Sequence, residues 1–191
     1  MKAKLAKVLR VTTIPPLFAL YLVLLLWWQV PGFFASGTHL AVAIACLTVF
    51  PTLSYPTTWL TKKAFREYRK MQRWMAIFFT LAGYAVLTIY AFAANATAQE
   101  MTVYLTYAIS VLCVWLTSLT KCHVSAHTCG VAGPIVIAAY YIHPQFLWAL
   151  FLLAGVVWSS LYLKRHKLLE LVLGAFFPIV VFFLLVAGYG V

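Results

Sequence analysis

The run Leu168 to Tyr189, LLELVLGAFFPIVVFFLLVAGY, decides how the chain is read. It holds 22 residues and one charged side chain, Glu170, and a membrane-crossing helix needs roughly 20 mostly apolar residues. Six comparable runs precede it, at about Thr12 to Val30, His39 to Trp59, Trp74 to Ala94, Met101 to Leu119, His127 to His143 and Phe146 to Leu163. Together they use most of the 191 residues, of which 65% are hydrophobic and 9% charged, well outside the composition of a soluble globular domain. The expected fold is all-α: a polytopic transmembrane helix bundle of six to seven spans, residues 1–191 forming one domain, with no internal repeat and no soluble domain.

Pro31-Gly32, Asn95-Ala96-Thr97 and His143-Pro144-Gln145 punctuate the runs as turns. Asn95 also opens a glycosylation sequon, which reads more simply as a turn in a short loop. Pro15, Pro16, Pro51 and Pro56 fall inside predicted helices, so kinks are expected there. The basic residues Lys2, Lys4, Lys7 and Arg10 resemble the start of a signal peptide. No small-residue cleavage site follows, and the first run reads as a retained helix.

The formal charge is +11, and all fourteen Lys and Arg residues lie in four segments: the N-terminal tail, residues 61–73, Lys121 and residues 164–167. Alternate loops carry none. This asymmetry predicts a cytoplasmic N-terminus and a cytoplasmic location for the polar stretches, in a cell inner membrane. It also assigns the cations to lipid headgroups and topology rather than to nucleic acid. Cys46 and Cys113 sit within apolar runs as small hydrophobes, and no disulfide framework is expected.

Two polar stretches interrupt this hydrocarbon. One is Lys121-Cys122-His123-Val124-Ser125-Ala126-His127-Thr128, and the other runs from Ser159 to Glu170 and carries Lys164-Arg165-His166. Glu170 lies in the first turn of a membrane helix, where a carboxylate needs a partner. His166 stands four residues earlier on the same face. Pairs of spans separate residues 61–73, Ser125 to His127 and His166, so all three emerge on one side. Histidines, cations and a helix N-terminus gathered there suit phosphoryl transfer.

The order and spacing resemble the type 2 phosphatidic acid phosphatase family of membrane lipid phosphatases, whose pattern is Lys-x6-Arg-Pro, Pro-Ser-Gly-His and Ser-Arg-x5-His-x3-Asp. Here the elements read Lys62-x6-Arg69, Val124-Ser125-Ala126-His127 and Ser159-Ser160-x5-His166-x3-Glu170, with Gly174 four residues on. The resemblance covers residues 62–174. It implies a metal-independent hydrolysis with no cofactor, in which His166 attacks phosphorus, Glu170 orients its ring, and His127 protonates the leaving oxygen and then activates water. It also implies that Lys62, Arg69, Ser125 and the backbone N–H of Ala126 cradle the phosphoryl oxygens, with His123, Lys164 and Arg165 as auxiliary contacts. The substrate would be a lipid phosphate met in the membrane: phosphatidate, phosphatidylglycerol phosphate, or a polyprenyl phosphate or diphosphate.

The departures are Ser160 for arginine, Glu170 for aspartate, Ala126 for glycine, and Val124 and Lys70 for prolines. Loss of the arginine removes a charge-assisted contact. A second reading of the first stretch is metal binding by Cys122, His123, His127 and Cys129, though their spacing fits no standard zinc pattern. A transport role and an inactive relative of the phosphatases are further alternatives. His39 and His143 read as interfacial residues at the opposite face, and Glu100 as a residue of the opposite loop.

Overall fold

The computed structural model describes residues 2–61, 68–120 and 122–191, and among them every regular element is helical. Among the described residues, five segments are long and apolar enough to cross a membrane: Gly37–Leu60, Trp74–Ala93, Ala98–Ser118, Pro144–Tyr162 and Leu168–Tyr189. The helices Lys2–Thr12 (α1) and Pro15–Gln29 (α2) meet at a 48° bend, and together would make a sixth. The expected bundle is therefore present, with two of the seven predicted runs built differently.

The first difference lies at the N-terminus. The basic tail expected before Thr12 is itself the helix α1, and Pro15 and Pro16 start α2 rather than kink it. Proline is suited to the first turn of a helix because its missing N–H has no partner there anyway. The lost continuity at Thr13 and Ile14 produces the bend.

The second run is a single bent rod. It comprises α3 (Gly37–Ile44), a π-helical stretch (Ala45–Val49), α4 (Phe50–Thr52) and α5 (Ser54–Thr61). The wide π turn falls just ahead of Pro51, whose missing N–H and ring interrupt regular α-helical bonding. Next come α6 (Tyr68–Ala93) and α7 (Ala98–Ser118), joined at Asn95, whose φ of 52° is the left-handed value of a tight turn.

The second difference is α8 (Ala126–Tyr141), which has 16 residues, about 24 Å of helix against a hydrocarbon thickness of about 30 Å. It is followed by a 3₁₀ stretch (Pro144–Ala149), then α9 (Leu150–Tyr162) and α10 (Leu168–Tyr189). The fifth predicted run is thus too short to span by itself. It packs against α2, α7, α9 and α10 and forms the centre of the bundle. Nine of its sixteen residues are buried, as expected for a helix that is apolar all round.

Small residues let α8 sit so close to its neighbours. A Cβ on Gly130 would collide with Pro15 of α2. The main core spreads from there through Leu22, Leu26, Leu47, Leu87, Tyr104 and Phe182.

At the end of the bundle remote from the polar stretches, Glu100 is completely buried. Its Oε1 faces His39 Nδ1 at 2.9 Å and accepts from the Ala35 N–H at 3.3 Å, while Oε2 accepts from the Thr97 N–H at 2.7 Å. His39 is likewise buried. Both expectations are corrected: His39 is not interfacial and Glu100 is not a loop residue. They form a polar staple between the first turn of α3 and the capping box that starts α7. His143 is exposed and caps the 3₁₀ stretch.

Candidate active site

The two polar stretches meet at one end of the bundle. Ser125 caps α8 by accepting from the Thr128 N–H, and its own N–H donates to the carbonyl of Glu170 at 3.0 Å. This ties the first stretch to the first turn of α10. The helices can approach this closely because residue 174 lacks a side chain. A Cβ there would lie 2.5 Å from the Ser125 carbonyl oxygen and would also collide with Thr128 Oγ1. Gly174→Ala is therefore expected to lower stability by about 1–3 kcal/mol and to pull α10 away from Ser125. Thermal unfolding of the purified protein checks this, and an unchanged melting temperature would show that the close approach is dispensable.

His166, in the short turn between α9 and α10, points Nδ1 at Glu170 Oε2 (3.0 Å) and at the His123 carbonyl (3.1 Å). Both partners are acceptors, so the proton belongs on Nδ1 and Nε2 presents its lone pair. Glu170 Oε2 is held in turn by the Lys167 N–H at 3.1 Å. His123 therefore contributes its backbone carbonyl, while its side chain is exposed. Lys164 and Arg165 are exposed in the same turn, and Lys164 adopts a positive φ of 50°.

His127 stands in the first turn of α8 and is held from an unexpected direction. Thr13 Oγ1 donates to the Leu9 carbonyl at 2.6 Å. Its single proton is thereby engaged, so Thr13 accepts from His127 Nε2 at 2.9 Å. One turn earlier in α1, Arg10 Nη1 donates to Ser160 Oγ at 2.9 Å. Ser160 is completely buried. Arg10 lies close enough to His127 and to Arg165 for charge repulsion with both. Arg10 and Arg165 add their charge to the dipole at the start of α8, where Ala126 is the first helical residue.

No family model, curated protein or solved structure matches the chain.

Of the residues expected from the sequence, His127, His166, Glu170, Ser125 and Ala126 are brought together, with Arg165 beside them and Lys164 in the same turn. Lys62 lies outside the described residues. Arg69 is described only by its place in the first turn of α6, which runs away from the site-bearing end. Sequence reading missed Arg10 and Thr13, having assigned the basic residues before Thr12 to topology. A helical signal was present, because Ala6, Arg10 and Thr13 recur at i, i+4 and i+7 and share the face that packs inward. Among the described residues, no three His, Cys, Asp or Glu side chains gather as a metal-ligand set. Cys129 instead packs with Val114 and Val124.

Proposed function

We propose that this protein is a membrane lipid phosphatase that cleaves a lipid phosphomonoester or diphosphate through a phosphohistidine. The observation that carries the reading is His166, with Nδ1 held by a carboxylate and Nε2 free, at the mouth of a positively charged helix N-terminus. A nucleophilic imidazole needs that tautomer, and a phosphoryl group needs that field.

His166 Nε2 attacks phosphorus, forming a P–N bond as the bond to the lipid oxygen breaks. His127, whose ring takes up a proton only once the negative charge of the bound phosphate offsets its burial and the repulsion of Arg10, gives that proton from Nδ1 to the departing oxygen. Water then attacks the phosphohistidine and passes a proton to His127, releasing orthophosphate from a monoester and freeing His166. Ser125 and the Ala126 N–H line the anion position, and the reading keeps Lys62 and Arg69 as further cations. No cofactor enters these steps.

The resemblance to the type 2 phosphatidic acid phosphatases supports the same roles, and Arg10 answers its main departure. That family carries arginine where this chain has Ser160, and here a guanidinium from α1 is bonded to Ser160 itself. The lack of Lys and Arg in the loops at the other end supports placing the site on the cytoplasmic face of an inner membrane.

The test is phosphate release by purified protein from phosphatidate, phosphatidylglycerol phosphate and polyprenyl phosphates, with and without a chelator. Hydrolysis that survives chelation and Cys122→Ala but is lost in His166→Ala supports the proposal. Hydrolysis that requires a metal and Cys122, or none from any lipid, overturns it. Arg10→Ala is expected to lower kcat/KM by roughly 10²–10³, with Arg10→Lys intermediate. Ser160→Arg should restore activity in the Arg10→Ala background and reduce it in the wild type, where two guanidinium groups would collide.

A further inference from the structure

Beneath the candidate site lies a partly open cavity of about 200 Å³. On α8 its wall runs from Ala126, next to His127, to Ile137, about 16 Å of helix. Most of its lining is apolar, including Pro15, Pro134 and Pro178. Two groups on α7 are out of place there. Tyr107 and Ser110, three residues apart on one helical face, both line the cavity. They are 8% and 2% exposed, yet neither hydroxyl has a hydrogen-bond partner among the described residues.

A buried hydroxyl without a partner destabilises the protein that carries it. Two of them on one wall of one cavity indicate an occupant that supplies acceptor atoms. Ser110 lies about one turn and Tyr107 about two turns deeper than Val114, and Val114 packs with Val124 and Cys129 beside the site. The polar station is therefore set back from the anion position by a short length of chain, and apolar wall continues beyond it.

We infer that the cavity binds the chain of an acylated lipid phosphate, with Tyr107 and Ser110 donating hydrogen bonds to an ester carbonyl. The inference rests on the phosphatase reading for the identity of the headgroup. An ester carbonyl follows the phosphate of a glycerolipid after the glycerol carbons, and the hydrocarbon beyond it suits the apolar end of the cavity. A polyprenyl chain offers no acceptor at that depth and leaves both hydroxyls unpaired.

The test compares diacyl phosphatidate, its dialkyl ether analogue of equal chain length, and a polyprenyl phosphate. Wild-type protein is expected to show a KM for the diacyl lipid roughly fivefold to a hundredfold below that for the dialkyl lipid, the worth of two hydrogen bonds. Tyr107→Phe and Ser110→Ala should each raise the diacyl KM and narrow the gap. Both variants remove an unpaired buried hydroxyl, so the lipid-free protein should melt no lower than wild type. Equal handling of diacyl and dialkyl lipids, or a lowered melting temperature of the lipid-free variants, would overturn the inference.

A binding arm separates this from the phosphatase reading. The His166→Ala protein is melted with each lipid in turn. Stabilisation by the diacyl lipid that Tyr107→Phe removes supports the cavity assignment even if no lipid is hydrolysed by the wild type, an outcome that sinks only the phosphatase. Hydrolysis of all lipids alike, without selective stabilisation, leaves the phosphatase and sinks the cavity.

Discussion

Replacing His166 by alanine is expected to abolish phosphate release, a fall of about 10⁴-fold or more, because no other group would be left to form the covalent intermediate. His127→Ala should fail differently. It keeps the nucleophile but loses both the proton for the leaving oxygen and the base for water, so with a ³²P-labelled lipid diphosphate, whose phosphate leaving group departs unprotonated, the protein should retain label as an acid-labile, base-stable phosphohistidine. Glu170→Gln retains a hydrogen-bond acceptor but loses the charge that supports the ring, and an intermediate loss of about 10²-fold is expected. Label retained by the His166→Ala protein would show that the nucleophile is another residue.

The largest effect on stability is expected at the other end of the bundle. Glu100→Ala leaves the N–H groups of Ala35 and Thr97 and the ring of buried His39 without their shared acceptor, at a cost of about 3–5 kcal/mol. Glu100→Gln keeps one acceptor oxygen but turns an amide N–H toward donors, so it should recover only part of that loss. His39→Ala should be milder, because two backbone donors still hold the carboxylate. Thermal unfolding of both single variants and the double variant gives the coupling. Single losses that simply add would show that the two side chains stabilise the fold independently.

The helices were legible because an apolar run of spanning length has few other uses, and turn residues marked most of their ends. The shortness of α8 was hidden. The run His127 to His143 reads as a span like the others, and only its neighbours reveal that it is wrapped by protein. The same limit explains His39. A histidine at the edge of an apolar run looks interfacial until its partner, 61 positions later, is seen beside it.

The candidate site was legible in parts. His166 and Glu170 were readable as a pair because one helical turn separates them, and Ser125 with His127 because a helix start was evident. Arg10 and Thr13 were not, because their partners Ser160 and His127 lie 150 and 114 positions away. Local spacing carries no information about such contacts. A basic residue near an N-terminus also satisfies the topological explanation too readily to invite a second.

The bond from Ser125 to Glu170 has a consequence for biosynthesis. Residues 10 and 13, 125 to 127, and 160 to 170 reach the membrane in that order, and α10 is the last of these helices to leave the ribosome. Until it docks, the Ser125 N–H lacks its acceptor, His166 Nδ1 has only the His123 carbonyl of its two partners, and α8 has an open flank where Gly174 should seat. A nascent chain arrested before α10 would carry both histidines and still be inert. Activity would switch on with the docking of a single helix rather than grow with chain length.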